Sequence, residues 1–206
     1  MAFSKHPGWM YGLIGLLIGI GAVAAYTYWE TNMQDPGPVI YHAHVDFALF
    51  INGEKFNFAQ EKYMTESAND LSRYVHLHDL QGDVVHHHAQ NISIKTFLET
   101  LKFDVDENCV STDENVEYCN NETHTWKVWV NGTPNENGFN YIAHDLDRIL
   151  VTYGNENQEQ LALQMQSVTD KACIQSEKCP ERGAPSDESS CAGTGECETG
   201  VIPVGE

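Results

Sequence analysis

At 206 residues, with 30 acidic against 11 basic side chains and a formal charge of −19, the chain has room for one domain with a real hydrophobic core. Its sign repels nucleic-acid phosphates, which argues against nucleic acid as a partner. None of its six cysteines forms a C-x-x-C, which leaves a thioredoxin-like redox centre and a zinc ribbon without support.

The chain opens with a run from Trp9 to Trp29 that is almost free of charge and passes through Leu13, Ile14, Leu16, Leu17, Ile18, Ile20, Val23 and Ala24. That length matches the roughly 20 residues needed to cross a bilayer. Trp9 and Tyr11 at one end and Tyr26, Tyr28 and Trp29 at the other read as interfacial belts, with Lys5 before the span and Glu30 and Asp35 after it. Residues 1–30 are therefore expected to be a cytoplasmic stub and a single-pass transmembrane anchor in the cell membrane, with the rest of the chain outside the cytoplasm. A cleavable signal peptide is the rival reading, because Ala22-Val23-Ala24 resembles a small-residue cleavage site. The uncleaved anchor is preferred, since the run and its second aromatic belt exceed the roughly 7 to 15 apolar residues of a signal core.

Export makes disulfides the default for Cys109, Cys119, Cys173, Cys179, Cys191 and Cys197. Pairing sequence neighbours closes the shortest loops, and other connectivities stay open. Three glycosylation sequons, at Asn91, Asn121 and Asn131, are compatible with export and say little more.

Residues 31–39 end in Pro-Gly-Pro and read as a short stiff stalk. The extracytoplasmic domain is expected over residues 40–155. Tyr41, Ala43, Val45, Phe47, Leu49 and Ile51 alternate with His42, His44 and Asp46, so the histidines point away from the apolar face. Asn52-Gly53 then signals a hairpin into residues 55–58. Residues 60–73 are polar and read as a loop with a helical turn.

Residues 74–88 read as two short strands joined by a turn at Leu80-Gln81-Gly82-Asp83. Parity puts His76 and His78 on one face, and His86 and His88 likewise. The expected register sets His78 opposite His86 and His76 opposite His88. His87 falls on the inward face with Val85.

Ser93 is a candidate N-cap for a short helix in which Ile94, Phe97, Leu98 and Leu101 face the sheet. An acidic loop, residues 104–125, holds Cys109 and Cys119, and two strands follow at 126–130 and 148–153. Residues 156–178 give a helix with a Leu161, Met165, Val168 stripe and a docking segment. Residues 179–206 read as a flexible, disulfide-containing tail.

Two hairpins, a helix, then Trp126-Lys127-Val128-Trp129-Val130-Asn131-Gly132 and the stretch from Asp145 to Gly154 resemble a β-grasp domain. The expected class is thus α+β, a β-grasp-like sheet packed by one short helix. The H-x-H-D-x-x-G-x-x-x-H-x-H hairpin, Ala172-Cys173-Ile174 and the stretch from Cys179 to Gly183 also resemble a set of uncharacterised, membrane-anchored prokaryotic proteins over roughly residues 40 to 185. That resemblance implies no activity.

Seven of the ten histidines cluster, and imidazole suits zinc, copper and nickel. The candidate metal ligands are His42, His44, His76, His78, His86 and His88, on an open sheet face, with copper or zinc as the ion. Asp46 and Asp79 are candidate ligands or ring-orienting acceptors. Against this stands the plain alternative of a solvated polar strand face, and a second alternative in which neighbouring imidazoles sense pH. His124 and His144 are isolated and read as structural. Without H-E-x-x-H, G-x-S-x-G or a phosphate loop, no enzyme class is indicated. The expected function is a membrane-anchored metal-binding protein. A metal-free module that binds another envelope protein is the main alternative, and a metal-dependent hydrolase the less favoured one.

Overall fold

The computed structural model describes residues 18–24, 26, 41–65, 71, 72, 74–185, 200 and 201. Two compact units divide the chain, residues 1–39 and 40–206. In the first, residues 18–24 and 26 are helical, with Ile18, Ile20 and Val23 exposed. Among the described residues no helix is long and apolar enough to cross a membrane. Most of the anchor expected from Trp9 to Trp29, and the whole stalk, lie outside the described residues.

The second unit is α+β, built on a mixed sheet. Its longest strand is β1 (Ala43–Ile51), followed across a tight turn by β2 (Glu54–Lys55). Asn52 and Gly53 at that turn take φ of 52° and 85°, the left-handed pair that a two-residue hairpin needs. The strand expected to run on to residue 58 stops at Lys55, and Phe56 and Phe58 instead pack as side chains into the core. Then come β3 (Val75–His76), β4 (Val84–His87), β5 (Ala89–Gln90) and the helix α1 (Ile94–Thr100). The Ser93 hydroxyl caps α1 as expected, accepting from the Thr96 amide at 3.0 Å.

Where an acidic loop was expected there is a small antiparallel sheet of β6 (Asp104–Val105), β7 (Cys109–Ser111) and β8 (Glu117–Cys119). Cys109 and Cys119 sit directly opposite each other in it and are disulfide-bonded. β9 (Thr125–Val130), β10 (Thr133–Pro134) and β11 (Arg148–Gly154) complete the main sheet. The order is β10-β9-β11-β1-β4-β3, with β2 on the end of β1. β1 and β11 run parallel at its centre, and the other pairs are antiparallel. Two helices follow, α2 (Gln158–Ser167), closed by a reciprocal Asn157–Gln160 capping box, and the short α3 (Ala172–Gln175). A second disulfide joins Cys173 to Cys179. Cys191 and Cys197 lie outside the described residues, while Gly200–Val201 pairs as β12 with β5.

Odd-numbered β1 residues Val45, Phe47 and Leu49 meet Phe97 and Leu98 of α1 in the main core, with Val85, Ile149 and Val151 from neighbouring strands. The Phe47 and Phe97 rings lie 5.2 Å apart, edge to face. Burying a side chain such as Phe97 contributes about 2 to 3 kcal/mol. The even face is also covered. Ala48, Phe50 and Leu150 form a smaller core with Val168, against which Met165 packs at the end of α2.

Candidate metal centre

Three histidines stand in one row across the sheet. His44 on β1 pairs with His86 on β4, and His86 pairs with His76 on β3. Paired residues of adjacent strands point to the same face, so the three rings project together. The register differs from the expected one by two residues, with His76 rather than His78 opposite His86. A shift of two keeps parity, so His76, His78, His86 and His88 still share a face. In the connection, which is longer than expected, Asp79 and Leu80 take φ of 54° and 55°. Gly82 meanwhile presses against the backbone of Phe58 and Ala59, where a Cβ would lie 2.4 Å from the Ala59 nitrogen.

All six expected histidines form a closed circuit of ring contacts. Centroid distances run 4.5 Å from His42 to His44, 4.5 Å on to His86, and 3.9 Å to His78. The circuit returns through His76 at 5.8 Å, His88 at 5.0 Å and back to His42 at 4.8 Å. Within it, one ring nitrogen from each of His42, His44 and His86 lies within 4.8 Å of the other two. His76, His78 and His88 adjoin this trio without joining it.

The open face expected for these rings is not what the structure shows. His44, His76, His78, His86 and His88 are each 3% exposed or less, and only His42 reaches solvent. On β1 the cover is the segment around α3. The Asp46 carboxylate is turned into it, accepting from the Thr169 hydroxyl and from the amides of Lys171 (2.8 Å) and Ala172 (3.1 Å). Asp46 is thereby the anchor of the covering segment and not a ligand. Burial raises its carboxyl above the ordinary range, against the pull of Thr169 and the two amides. Arg148 donates to the carbonyls of Val168 and Thr169 (2.8 Å), and Lys171 pairs with Asp83 at 2.8 Å.

Beyond α3, the Ser176 oxygen lies 2.7 Å from His44 Nδ1 and 2.6 Å from Asp145 Oδ1. Asp145 also accepts from the His44 amide at 2.9 Å and from Lys178. Burial pushes the Asp145 carboxyl up, but Lys178, Ser176 and the His44 amide outweigh it and hold the group below the usual carboxylate range. On the other side, Asp79 does what an orienting acceptor would: its Oδ2 is 2.7 Å from His78 Nδ1, and His78 Nε2 is 3.1 Å from His86 Nδ1.

His87 is buried on the opposite face, as its odd number requires. Burial, then the nearby His44 and His88, push its pKa down to about 3, so it is neutral at ordinary pH. His124 and His144 stand apart, bonded to Thr123 and Tyr141. Nothing in the local sequence pointed to Asp145, Ser176 or Lys178. Asp145 and Ser176 meet His44 across 100 residues or more, Lys178 reaches the site through Asp145, and the only hint was that Cys173 and Cys179 bracket Ser176 and Lys178.

An α+β domain with a mixed sheet and a buried histidine cluster is the class that fold and site define. Comparison of the chain with protein-family models, curated proteins and solved structures gave no match.

Proposed function

We propose that this is an extracytoplasmic protein, tethered to a membrane by its N-terminal apolar run, that holds a transition-metal ion, copper(II) or zinc, through His42, His44 and His86. The observation that carries this reading is the meeting of three ring nitrogens, from β1, β4 and the residue just before β1, inside a circuit of six imidazoles of which five are buried. A solvated polar strand face would leave such rings in water. Burying polar rings costs free energy that an ion bound by imidazole offsets.

Neighbouring nitrogens on one ion stand about 2.8 Å apart in a square plane and about 3.3 Å apart in a tetrahedron, at metal–nitrogen distances of about 2.0 Å. The trio, whose nitrogens lie within 4.8 Å of one another, therefore has to close by up to about 1.5 Å around a tetrahedral ion, within the reach of side-chain rotations. Cys109, Cys119 and Glu117 also lie close together, but both sulfurs are committed to a disulfide. Imidazole ligation without thiolate suits copper(II) and zinc alike.

Two disulfides support an oxidising compartment. The anchor is supported by the uncharged run itself and by the exposure of Ile18, Ile20 and Val23. The β-grasp reading is supported by the parallel β1–β11 pair at the sheet centre and by α1 lying between the two halves of the sheet in sequence.

Titration of the full-length protein with zinc and with copper(II), against a His42, His44, His86 triple alanine variant, tests the site. One ion per chain in the parent and loss of that ion in the variant are expected. Equal stoichiometry in the two proteins eliminates it.

A further inference from the structure

Two chains of hydrogen bonds enter the imidazole cluster from different elements, and each begins at a carboxylate. In the first, Asp145 accepts from Lys178, from the His44 amide and from Ser176. An ionised carboxylate can only accept, and a serine hydroxyl has one proton to give. Ser176 gives it to Asp145 at 2.6 Å, so at 2.7 Å its oxygen can only accept from His44 Nδ1–H. A neutral imidazole with its proton on Nδ1 carries its lone pair on Nε2.

The second chain obeys the same rule. Asp79 Oδ2 accepts from His78 Nδ1–H at 2.7 Å, which puts the His78 lone pair on Nε2. That atom, 3.1 Å away, accepts from His86 Nδ1–H, and the His86 lone pair is left on Nε2 in turn. Two independent relays thus give the same tautomer to two members of the trio that gathers around one point.

We propose that Ser176 and His78 are positioning residues that set His44 and His86 as Nε2 ligands, each passing the acceptor character of a carboxylate on to a ligand ring. His78 then stands behind the metal, with both nitrogens engaged, and not on it. This rests on the metal reading above. It goes beyond it by fixing the ligand atoms and by assigning roles to Asp145 and Ser176, on two segments remote in sequence from His44. Such outer partners hold a ring's orientation and raise its basicity, and their loss typically weakens metal affinity roughly 10- to 100-fold.

The test is long-range nitrogen–proton NMR of the histidine rings in the metal-free, full-length protein at mildly alkaline pH, paired with zinc affinity by chelator competition. The parent is expected to show the Nδ1–H tautomer at both His44 and His86. Ser176→Ala should lose it at His44 alone, Ser176→Thr should keep it, and His78→Ala should lose it at His86 alone. Zinc affinity should fall roughly 10- to 100-fold in the two alanine variants and return with Ser176→Thr. Nε2–H at either ring in the parent overturns the inference, as does a tautomer that ignores Ser176→Ala. If the parent takes up no zinc, the metal reading falls and the positioning roles with it. If it binds but tautomers and affinities do not move, the positioning roles alone fall.

Discussion

The nine residues of β1 divide between two faces that are stabilised by different physics. On the odd face, Val45, Phe47 and Leu49 meet α1 in close contact, and shape does the holding. At the even face's first end, His44 and Asp46 meet a segment that attaches through hydrogen bonds from Thr169, Lys171, Ala172 and Ser176 and is closed on itself by the Cys173–Cys179 disulfide. A sheet can therefore bury both faces while one of them carries the main hydrophobic core and the other only a smaller one, at Ala48 and Phe50. The other is free to hold chemistry.

The largest effect that separates the faces is expected from Phe97→Ala, which opens a cavity in the odd-face core. It should cost about 3 to 5 kcal/mol by urea unfolding. Zinc stoichiometry in the protein that remains folded should not change.

A middle-sized effect comes from the even face. Replacing Cys173 and Cys179 by alanine opens the loop that carries both Ser176 and Lys178, the two side chains that grip Asp145. The loss of stability should be about 2 kcal/mol. Zinc affinity, read by chelator competition, should fall roughly tenfold because the partner of His44 is loosened. Removing Cys109 and Cys119 instead should cost similar stability and leave zinc binding unchanged. If both pairs behave alike, the contrast between the faces is lost.

The smallest effect lies at the far end of the even face, where Thr152 pairs with Lys127 and Glu156 takes bonds from both, at 3.1 and 2.9 Å. Burial raises the Glu156 carboxyl, but Lys127, the backbone and Thr152 outweigh it and leave it below its ordinary 4.5. A depressed carboxyl contributes stability above its unfolded value and loses it as pH falls through the folded one. Glu156→Gln should thus cost about 1 kcal/mol near neutral pH, and the gap between the two proteins should close in acid. Urea melts at the two pH values measure it.

Much of this contrast was legible in the sequence, because parity alone assigns side chains to faces. His42, His44 and Asp46 against Val45, Phe47 and Leu49 is a period of two, and neither the longer turn at Asp79 and Leu80 nor the register shift that follows it alters that parity. The cover was not legible. The segment around α3 is held by hydrogen bonds between residues far apart in sequence, which leave no periodic trace, so an open face was expected where a sealed one stands. The small sheet of β6, β7 and β8 escaped for a different reason: strands of two or three residues are too short to alternate recognisably.

Of the six rings, His42 alone meets the solvent. On the proposed reading it is the threshold: His42 would be the ring through which the site communicates with solvent, the inner rings being covered. Uptake and release rates would then answer to one side chain just before β1, while the strength of holding would be shared with the buried rings behind it.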